Sequence, residues 1–381
     1  MTVEYNLTVN KRLSGRSGAV AESFVVGAGL AGLVAAINLA REGRDVTVLD
    51  RESRVGGSGL YHPSPEGTPI DIPAFEAFSG IDLAPSVGTG PLARFGAGRA
   101  VAYGEMVPID MDAISSYMIE RGPRSTSLDS FLYNIAVAEG VKFEFGRGVV
   151  SNDDLADLPP DTIVATGLHF EGFDAAHVPY LTSFHFVSRK MIEDKETNHV
   201  TVFHGDFTTD YSYTASVNGI LFAHVFQRNP IGKDTLKAFE EQVYLSEGFE
   251  FDEWKHFTFP VPAATIHNPR LFAGNKILAG TLAGCMESYM FFGMLGALVS
   301  GKIAAMAVTD KAKAFDEFKL ATSSFKGAYL LKKMTGPVPH GLQKRFMAAG
   351  LKRGLDLPGV SEFVTRAMPG WKNCERALAC K

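Results

Sequence analysis

The sequence predicts an α/β protein with an inserted α+β region, built on an antiparallel sheet, and a helical C-terminal tail. Three observations in the 381 residues support this fold class. Residues 23–50 have the pattern of a strand, a glycine-rich turn, a helix and a second strand. Residues 180–230 contain short runs of aromatic and β-branched residues between turn-like clusters, which is typical of antiparallel strands. Residues 326–381 are basic with apolar residues interleaved, which indicates amphipathic helices.

The composition is that of a globular protein, since 46% of the residues are hydrophobic and 21% are charged. The length predicts two domains, or one large domain with insertions. The net charge of −5 gives no reason to expect nucleic acid as a partner, and the 3 Cys fit a reducing, cytoplasmic location. The longest apolar stretch, residues 278–308, is interrupted by Glu287 and Lys302, so no membrane span is predicted.

The first motif is a glycine-rich turn with the sequence Gly27-Ala28-Gly29-Leu30-Ala31-Gly32. Its first glycine permits a tight turn, the second lets the backbone approach a pyrophosphate, and the third lets the helix pack against the strand. The start of the helix offers free N–H groups to phosphates. Asp50 ends the second strand, where a carboxylate can accept hydrogen bonds from a ribose and would repel a 2′-phosphate. The unit predicts a Rossmann-type dinucleotide-binding domain, and NADP is disfavoured at this site.

The residues after Asp50 indicate which dinucleotide binds. The segment Asp50-Arg51-Glu52-Ser53-Arg54-Val55-Gly56-Gly57 resembles the acid-x-x-x-R-x-G-G extension of FAD-dependent oxidoreductases with the glutathione-reductase-type fold. This resemblance covers residues 24–57 closely. It implies FAD as the cofactor, with Gly56 and Gly57 beside the FAD pyrophosphate and Arg54 holding the loop.

Two later segments resemble the same family. Residues 162–167 are similar to the family's strand followed by Ala-Thr-Gly, and Val149 or Val150 would lie where the family contacts the adenine through backbone groups. Residues 275–305 are similar to its C-terminal FAD segment, although Gly280-Thr281 stands where many relatives have Gly-Asp. The full set expected to bind FAD is Gly27, Ala28, Gly29, Leu30, Ala31, Gly32, Asp50, Arg51, Arg54, Gly56, Gly57, Val149, Ala165, Thr166, Gly167, Gly280, Thr281 and Gly293.

The chain contains no second strand-linked GxGxxG, and no CxxxxC follows the glycine pair, so the two-nucleotide disulfide reductases are disfavoured. One nucleotide domain with an inserted region is therefore expected. We assign residues 1–60, 125–170 and 270–310 to a discontinuous FAD-binding domain. Residues 61–124 and 171–269 are assigned to a substrate domain, and residues 311–381 to a C-terminal helical basic segment.

The substrate sheet is expected to present an apolar side to the flavin. The aromatic residues predicted for that side are Phe184, Phe186, Tyr211, Tyr213, Phe222 and Phe226. Each of them could instead belong to an ordinary core. The candidate catalytic groups are Tyr61, His62 and Glu287, for which a structural role is the alternative. The scattered histidines show no metal-ligand spacing, so no metal is predicted.

The resemblance is to the group that holds geranylgeranyl reductases, aromatic hydroxylases, phytoene desaturases and amine oxidases. It implies a FAD-dependent oxidoreductase, with hydride transfer through the flavin, that reduces or desaturates a hydrophobic, isoprenoid-like or lipid substrate. A flavin monooxygenase or amine oxidase is one alternative, and a FAD-binding protein with a structural or assembly role is another. The electron donor is expected to be NAD(P)H or a donor protein.

Residues 326–381 contain 11 Lys and Arg against 3 Asp and Glu, a net charge of +8. Such a segment can lie on an anionic membrane surface as a peripheral contact, or dock on an acidic partner. The alternative is a set of capping helices with solvated basic faces.

Overall fold

The computed structural model describes most of the chain. The described residues are 21–57, 61–88, 90–102, 104–149, 151–193, 198–205, 207, 211–262, 268–287, 291–325 and 360–381, with positions 330, 334, 338, 339, 341, 342, 345, 346, 349 and 350.

Helices and strands alternate along the first half of the chain and give way to longer strands in the middle. In chain order, the first are β1 (Glu22–Val26), α1 (Leu30–Arg41), β2 (Asp45–Asp50), β3 (Ser64–Pro69), α2 (Ile72–Ser79), β4 (Leu92–Ala93), β5 (Ala97–Ala102), β6 (Glu105–Ile109), β7 (Ser116–Arg121), α3 (Leu128–Ala138), β8 (Lys142–Phe145), α4 (Asn152–Asp157), β9 (Ile163–Val164) and α5 (Phe170–Ala175). They continue with β10 (Tyr180–Met191), β11 (His199–His204), β12 (Ser212–Val217), β13 (Ile220–Gln227), α6 (Lys233–Glu247), β14 (Lys255–Pro262), β15 (Phe272–Ala273), β16 (Lys276–Leu278), α7 (Met294–Thr309), α8 (Lys311–Ala321), α9 (Val360–Ala367) and α10 (Trp371–Ala379).

The first sheet has six strands in the order β15-β16-β9-β1-β2-β8. All neighbours pair in parallel except β15 and β16. Strand β1 is buried between β2 and β9, with Val25 opposite both Val48 and Ile163. Helices α1 and α7 pack on this sheet, and residues 30–39 of α1 are all buried. The connection order reverses at β1, and ligands of open α/β sheets bind at such a switch point.

The second sheet has seven strands in the order β14-β10-β13-β12-β11-β5-β6, antiparallel except for the β5–β11 pair. One of its faces packs against α6, where Phe203, Ala223 and Val225 contact Phe239 and Val243. A third sheet, in the order β3-β7-β4, lies against β12 and β13. The predicted α/β class, with an inserted antiparallel region and C-terminal helices, is confirmed. The domain boundaries stay a prediction.

The end of the chain is packed against the first layer. Helix α10 lies against α2 and α8, and its Trp371 and Cys374 are buried. Asn373 Nδ2 donates to the Glu317 carbonyl of α8 at 3.0 Å, and Arg376 pairs with the Glu317 carboxylate. At least one positive charge of the basic segment is therefore paired with a carboxylate of the same chain. Among the described residues, none of the helices has the length and apolar character needed to cross a bilayer.

Candidate functional site

The glycine-rich turn lies at the carboxyl end of β1, between β2 and β9. Gly27 has φ of +102°, and a Cβ on it would lie 2.3 Å from the Ala165 carbonyl oxygen. A Cβ on Gly32 would lie 1.8 Å from the Gly27 oxygen. Side chains at these two positions would push the turn away from both the helix and β9. The structure therefore brings Ala165, predicted as a binding residue, into direct contact with the turn.

Gly29 occupies a different environment from its neighbours. A Cβ built on it meets nothing within 4 Å, and its φ of −82° is accessible to any residue. It is the N-cap of α1 and makes no side-chain capping hydrogen bond. The N-terminus of this buried helix thus faces open space, which is the environment that suits an anionic phosphate.

Asp50 is held at the end of β2 by two backbone donors. Its Oδ2 accepts from the Ala28 N–H at 2.6 Å, and its Oδ1 accepts from the Glu52 N–H at 2.8 Å. Burial raises the pKa of the Asp50 carboxyl, although both hydrogen bonds act in the opposite direction. Each carboxylate oxygen has a second lone pair, so Asp50 can still accept from ribose hydroxyls.

Arg51 bridges β2 to the segment after β9. Its Nη2 lies 2.7 Å from His169 Nδ1, and its Nη1 lies 3.3 Å from Glu171 Oε2. Burial and then the Arg51 charge lower the pKa of His169 to about 4, so the imidazole is neutral and accepts from Arg51. Gly167 lies in this segment, and Val149 is buried before α4. The Arg51 contacts therefore connect the end of β2 to the segment after β9.

The C-terminal segment returns to the same sheet edge. The Ala279 N–H donates to the Val164 carbonyl at 3.0 Å, which continues the β16–β9 pairing. The Gly280 N–H donates to Ser300 Oγ at 2.8 Å, and a Cβ on Gly280 would lie 3.1 Å from Ala31 Cβ. Three segments that are distant in the sequence therefore meet around the first turn of α1.

Thr281 and Gly293 flank the entry into α7. Thr281 is half-buried in a 3₁₀ turn, Gly280–Ala283, and Gly293 is the N-cap of α7. Glu287 is buried, and its N–H donates to the Phe292 carbonyl at 2.8 Å.

The glycine pair after β2 packs against the end of β7. A Cβ on Gly56 would lie 2.2 Å from the Gly122 oxygen, and a Cβ on Gly122 would lie 3.1 Å from His62 Cβ. The Gly57 N–H donates to the Arg54 carbonyl at 3.3 Å, whereas the Arg54 side chain is exposed. His62 is thus placed beside the loop that the resemblance assigns to the pyrophosphate.

A buried ion pair fixes this contact. Arg121 Nε donates to Asp129 Oδ2 at 2.9 Å, and Arg121 Nη2 donates to Asp129 Oδ1 at 3.0 Å. The Gly122 N–H donates to Asp129 Oδ2 at 2.9 Å. Burial alone would raise the pKa of Asp129, but the Arg121 charge and these hydrogen bonds lower it. Asp129 therefore holds the end of β7 in the conformation that Gly56 packs on.

The second face of the seven-stranded sheet carries a cluster of rings around Tyr61. The Tyr61 ring packs edge-on, with centroid distances of 5.4–6.0 Å, against the side chains of Phe222, His224, Phe257 and Phe259. We call this surface the aromatic face. Tyr61 follows the glycine pair by only four residues, so the predicted pyrophosphate position and the aromatic face are close along the chain.

The aromatic face also contacts the C-terminal segment. The Phe226 ring lies 5.7 Å from Phe291, which follows Glu287, and 4.9 Å from Tyr211. The Tyr61 hydroxyl lies 3.2 Å from the Tyr213 hydroxyl and also hydrogen-bonds Glu66. The C-terminal cofactor segment therefore reaches this face through Phe291, and Tyr61, four residues after the glycine pair, lies on it.

The predicted aromatic lining is wrong at Phe184 and Phe186. His185 pairs directly opposite Phe226 in the β10–β13 ladder and shares its face. Because side chains alternate along a strand, Phe184 and Phe186 point to the other face. Phe186 packs there with the α6 core.

Sequence reasoning missed four residues of this region: His185, His224, Arg121 and Asp129. The alternation of Phe222, His224 and Phe226 along β13 is a signal that could have shown that His224 belongs to the aromatic face. No sequence signal indicates the register that brings His185 next to it. In the described part of the chain, no group of three or more His, Cys, Asp or Glu side chains could hold a metal ion.

Comparisons with known proteins agree with this architecture. Residues 25–81 match the family described as NAD(P)-binding Rossmann-like domain. A geranylgeranyl bacteriochlorophyll reductase-like protein from Thermoplasma acidophilum superposes with a TM-score of 0.62 at 11% identity, over 94% of this chain and 98% of that one. CtdE, solved in complex with FAD and a substrate, superposes with a TM-score of 0.58 at 11% identity, over 94% and 99%. The chain has the fold of the FAD-dependent oxidoreductases.

The matches in sequence to curated proteins are short. The flavin-containing monooxygenase FMO GS-OX2 of Arabidopsis thaliana is 54% identical over 48 residues, which is 13% of this chain and 10% of that protein. The chain thus spans a small part of the curated relatives that it matches. Together with the fold, this match supports FAD as the cofactor, as the resemblance implied.

The Arg121–Asp129 pair gives a prediction about stability. Asp129→Asn should lower the free energy of unfolding at pH 7 by about 3–5 kcal/mol, because it leaves Arg121 buried without its counter-charge. The folded-state pKa of Asp129 lies below its ordinary value of 3.8, so the wild-type advantage is present above that pH and is lost as the pH falls through the folded-state pKa. Denaturant unfolding at pH 7 and pH 3 measures both effects.

The matched control for Asp129 is Asp45→Asn, which breaks the exposed Asp45–Lys142 pair. It should cost less than about 1 kcal/mol at either pH. Equal losses in the two variants at pH 7 would contradict the role given to Asp129.

Proposed function

We propose that this chain is a FAD-dependent oxidoreductase that reduces or desaturates a hydrophobic, isoprenoid-like or lipid substrate. The observation that supports it best is the meeting of three segments at one sheet edge. The glycine-rich turn, the segment after β9 and the segment after β16 converge on the first turn of α1. The aromatic face contacts Phe291, in the segment after β16.

The residues present suit an extended dinucleotide. Gly29 faces open space at a helix N-terminus, and Asp50 offers carboxylate oxygens at the end of β2. The Thr166 hydroxyl is buried and has no hydrogen-bond partner among the described residues. FAD, when bound, would supply hydride transfer to or from the substrate. We assign the diphosphate to Gly29, Leu30 and the glycine pair, and the ribose to Asp50.

The aromatic face suits an apolar substrate. Its rings come from β10, β12, β13 and β14, and the rings of Tyr61, Phe257 and Phe259 are only partly buried. Burial raises the pKa of Tyr61 well above 10, so its hydroxyl stays protonated and can donate a hydrogen bond.

We assign different roles to the three catalytic candidates. Tyr61 is the one that lies on the aromatic face, so we assign it to substrate contact. Burial, followed by the Arg121 charge, lowers the pKa of His62 to about 3, so His62 is neutral and bonds Ser64. The Glu287 backbone exchanges hydrogen bonds with Phe291 and Phe292, so we assign Glu287 a structural role. We propose NAD(P)H or a donor protein as the electron source.

Gly29→Val is expected to abolish FAD binding without unfolding the protein. The valine has room and an allowed φ, but its side chain would fill the space above the helix N-terminus. The visible spectrum of the purified wild type should show oxidised flavin at roughly 370 and 450 nm. The variant should lack these bands and keep the melting temperature of the apoprotein.

Gly232→Val is the matched control for Gly29. Gly232 is the N-cap of α6, with φ of −80° and nothing within 4 Å of its Cβ position, so the local cost of valine is the same. It should keep the flavin. A colourless wild type that FAD does not reconstitute would overturn the proposed cofactor, and a yellow Gly29→Val protein would overturn the assigned binding mode.

A monooxygenase is the second candidate function. It is favoured by the stretch of 48 residues that is 54% identical to a flavin-containing monooxygenase, although this stretch is only 13% of the chain. Oxygen consumption measured with NADH, NADPH and candidate amines separates the alternatives. Substrate-dependent oxygen uptake with NAD(P)H supports the monooxygenase, and uptake with an amine alone supports an amine oxidase. Anaerobic reoxidation of reduced flavin by an apolar substrate supports the reductase.

We also propose that the basic segment 326–381 contacts an anionic membrane surface. Leu330, Met334, Leu342 and Phe346 are exposed by 46–69%. They lie among lysines and arginines in a segment of net charge +8. Exposed apolar side chains can insert among the lipids, and basic side chains beside them are attracted to anionic headgroups. These are the two interactions that hold a peripheral protein on a membrane. Many of the basic residues lie outside the described residues.

Replacing Leu342 and Phe346 with Glu should weaken vesicle binding at least about tenfold, because it removes buried apolar area and adds charge of the wrong sign. Co-sedimentation with phosphatidylcholine vesicles, with and without phosphatidylglycerol, measures this. The control is Leu245→Glu in α6, where leucine is 70% exposed. Binding to neutral and anionic vesicles alike, or to neither, would contradict the proposal.

A further inference from the structure

Two histidines on adjacent strands form a hydrogen-bonded pair within the aromatic face. His185 Nδ1 of β10 lies 2.8 Å from His224 Nε2 of β13. Their relative exposures are 6% and 5%. The His185 ring stacks on Phe226 and Phe257, with interplanar angles of 15° and 9°. We call these two side chains the imidazole pair.

The remaining nitrogens of the imidazole pair are not satisfied. His185 Nε2 and His224 Nδ1 are buried and have no hydrogen-bond partner among the described residues. In a neutral pair, the N–H of one ring donates a hydrogen bond to the unprotonated nitrogen of the other. Of the two remaining nitrogens, one is then always an N–H donor and the other an acceptor, whichever ring donates within the pair. Leaving both buried without partners is costly, so a group that satisfies either one would be favoured.

The imidazole pair is neutral near pH 7. Burial, and then the charge of His256, lowers the pKa of His185 to about 3. Burial, and then the charge of His185, lowers the pKa of His224 well below its ordinary value. A neutral pair among aromatic rings cannot compensate a ligand carboxylate or phosphate for its lost hydration. It can form a hydrogen bond with a hydroxyl or carbonyl oxygen.

We propose that the imidazole pair is the polar recognition element of the substrate site, and that the substrate is an uncharged apolar molecule with one hydroxyl or carbonyl group. This inference rests on the proposed function, because it takes the aromatic face as the substrate site. The inference adds to that function the chemical class of the substrate's polar group, and it excludes substrates whose polar group is anionic.

The Tyr61 ring covers part of His224. It lies edge-on to His224 at 5.4 Å and is partly exposed, whereas the imidazoles are almost fully covered. In the proposed complex, the ligand displaces the Tyr61 ring from His224, Phe257 and Phe259. The apolar part of the ligand then lies against the rings, and its oxygen lies against a histidine.

Three ten-carbon probes that differ at one end test this inference: geraniol, the hydrocarbon myrcene and geranic acid. Calorimetry on the FAD-loaded full chain at pH 7 should give geraniol an affinity about tenfold above myrcene, which is the effect of one hydrogen bond in a buried site. Geranic acid, ionised at this pH, should bind more weakly than geraniol. Nitrogen-15 NMR of the histidine rings should shift with geraniol and stay unchanged with myrcene.

Replacing both histidines with Phe removes the partners together, which leaves no orphaned imidazole and protects the fold. The double variant His185→Phe/His224→Phe should lose the preference for geraniol over myrcene and keep its flavin spectrum. His256→Phe is the control, because His256 is exposed and lies on the opposite face of the sheet beside Phe186. It should keep the preference.

Equal affinity of the wild type for geraniol and myrcene would overturn the inference, as would a preference that survives in the double variant. Failure of all three probes to bind protein that shows the flavin spectrum would also overturn it, and would leave the FAD site standing. A colourless protein would instead count against the proposed function.

Discussion

The close approach of β1, α1 and β9 at the glycine-rich turn is the constraint on which the rest of the site depends. With Gly27 against Ala165 and Gly32 against Gly27, the first turn of α1 is pressed onto the carboxyl edge of the sheet. The N–H groups of that turn are therefore held at a fixed position beside Asp50. Any phosphate bound there meets donors that need no rearrangement, which is the physical basis of binding at helix N-termini.

The aromatic face lies close to the same edge along the chain. Tyr61 follows the glycine pair by four residues, Phe291 follows Glu287 by four residues, and both rings contact the face. The Gly122 backbone that Gly56 packs on is hydrogen-bonded to Asp129, which also pairs with Arg121. The region assigned to the cofactor and the region assigned to the substrate are thus close together in the sequence at both points.

Features formed by residues close together in the sequence could be predicted from it, and features formed by residues far apart could not. The turn, α1 and Asp50 lie within one short segment, and the spacing of their residues determines their arrangement. The aromatic face required the register between β10 and β13, which a single strand does not encode. Phe184 and Phe186 were therefore predicted on the wrong face, while His185 was missed. The pairing of Arg121 with Asp129 depends on how α3 packs behind β7, which periodicity does not report.

The distribution of the site along the chain also bears on how the protein matures. Gly27 packs against Ala165 and Ala31 faces Gly280, so the turn around Gly29 is completed by residues that lie far downstream and are synthesised much later. During translation, β1 and α1 are synthesised well before β9 and β16, so the apolar surface that these strands cover stays exposed until they are made. Contacts that are so distant in sequence slow folding, because loop entropy is lost before they form. A nucleotide that binds the completed edge and not the unfolded chain raises the free energy of unfolding. The fraction of folded protein would therefore increase with the concentration of the cofactor.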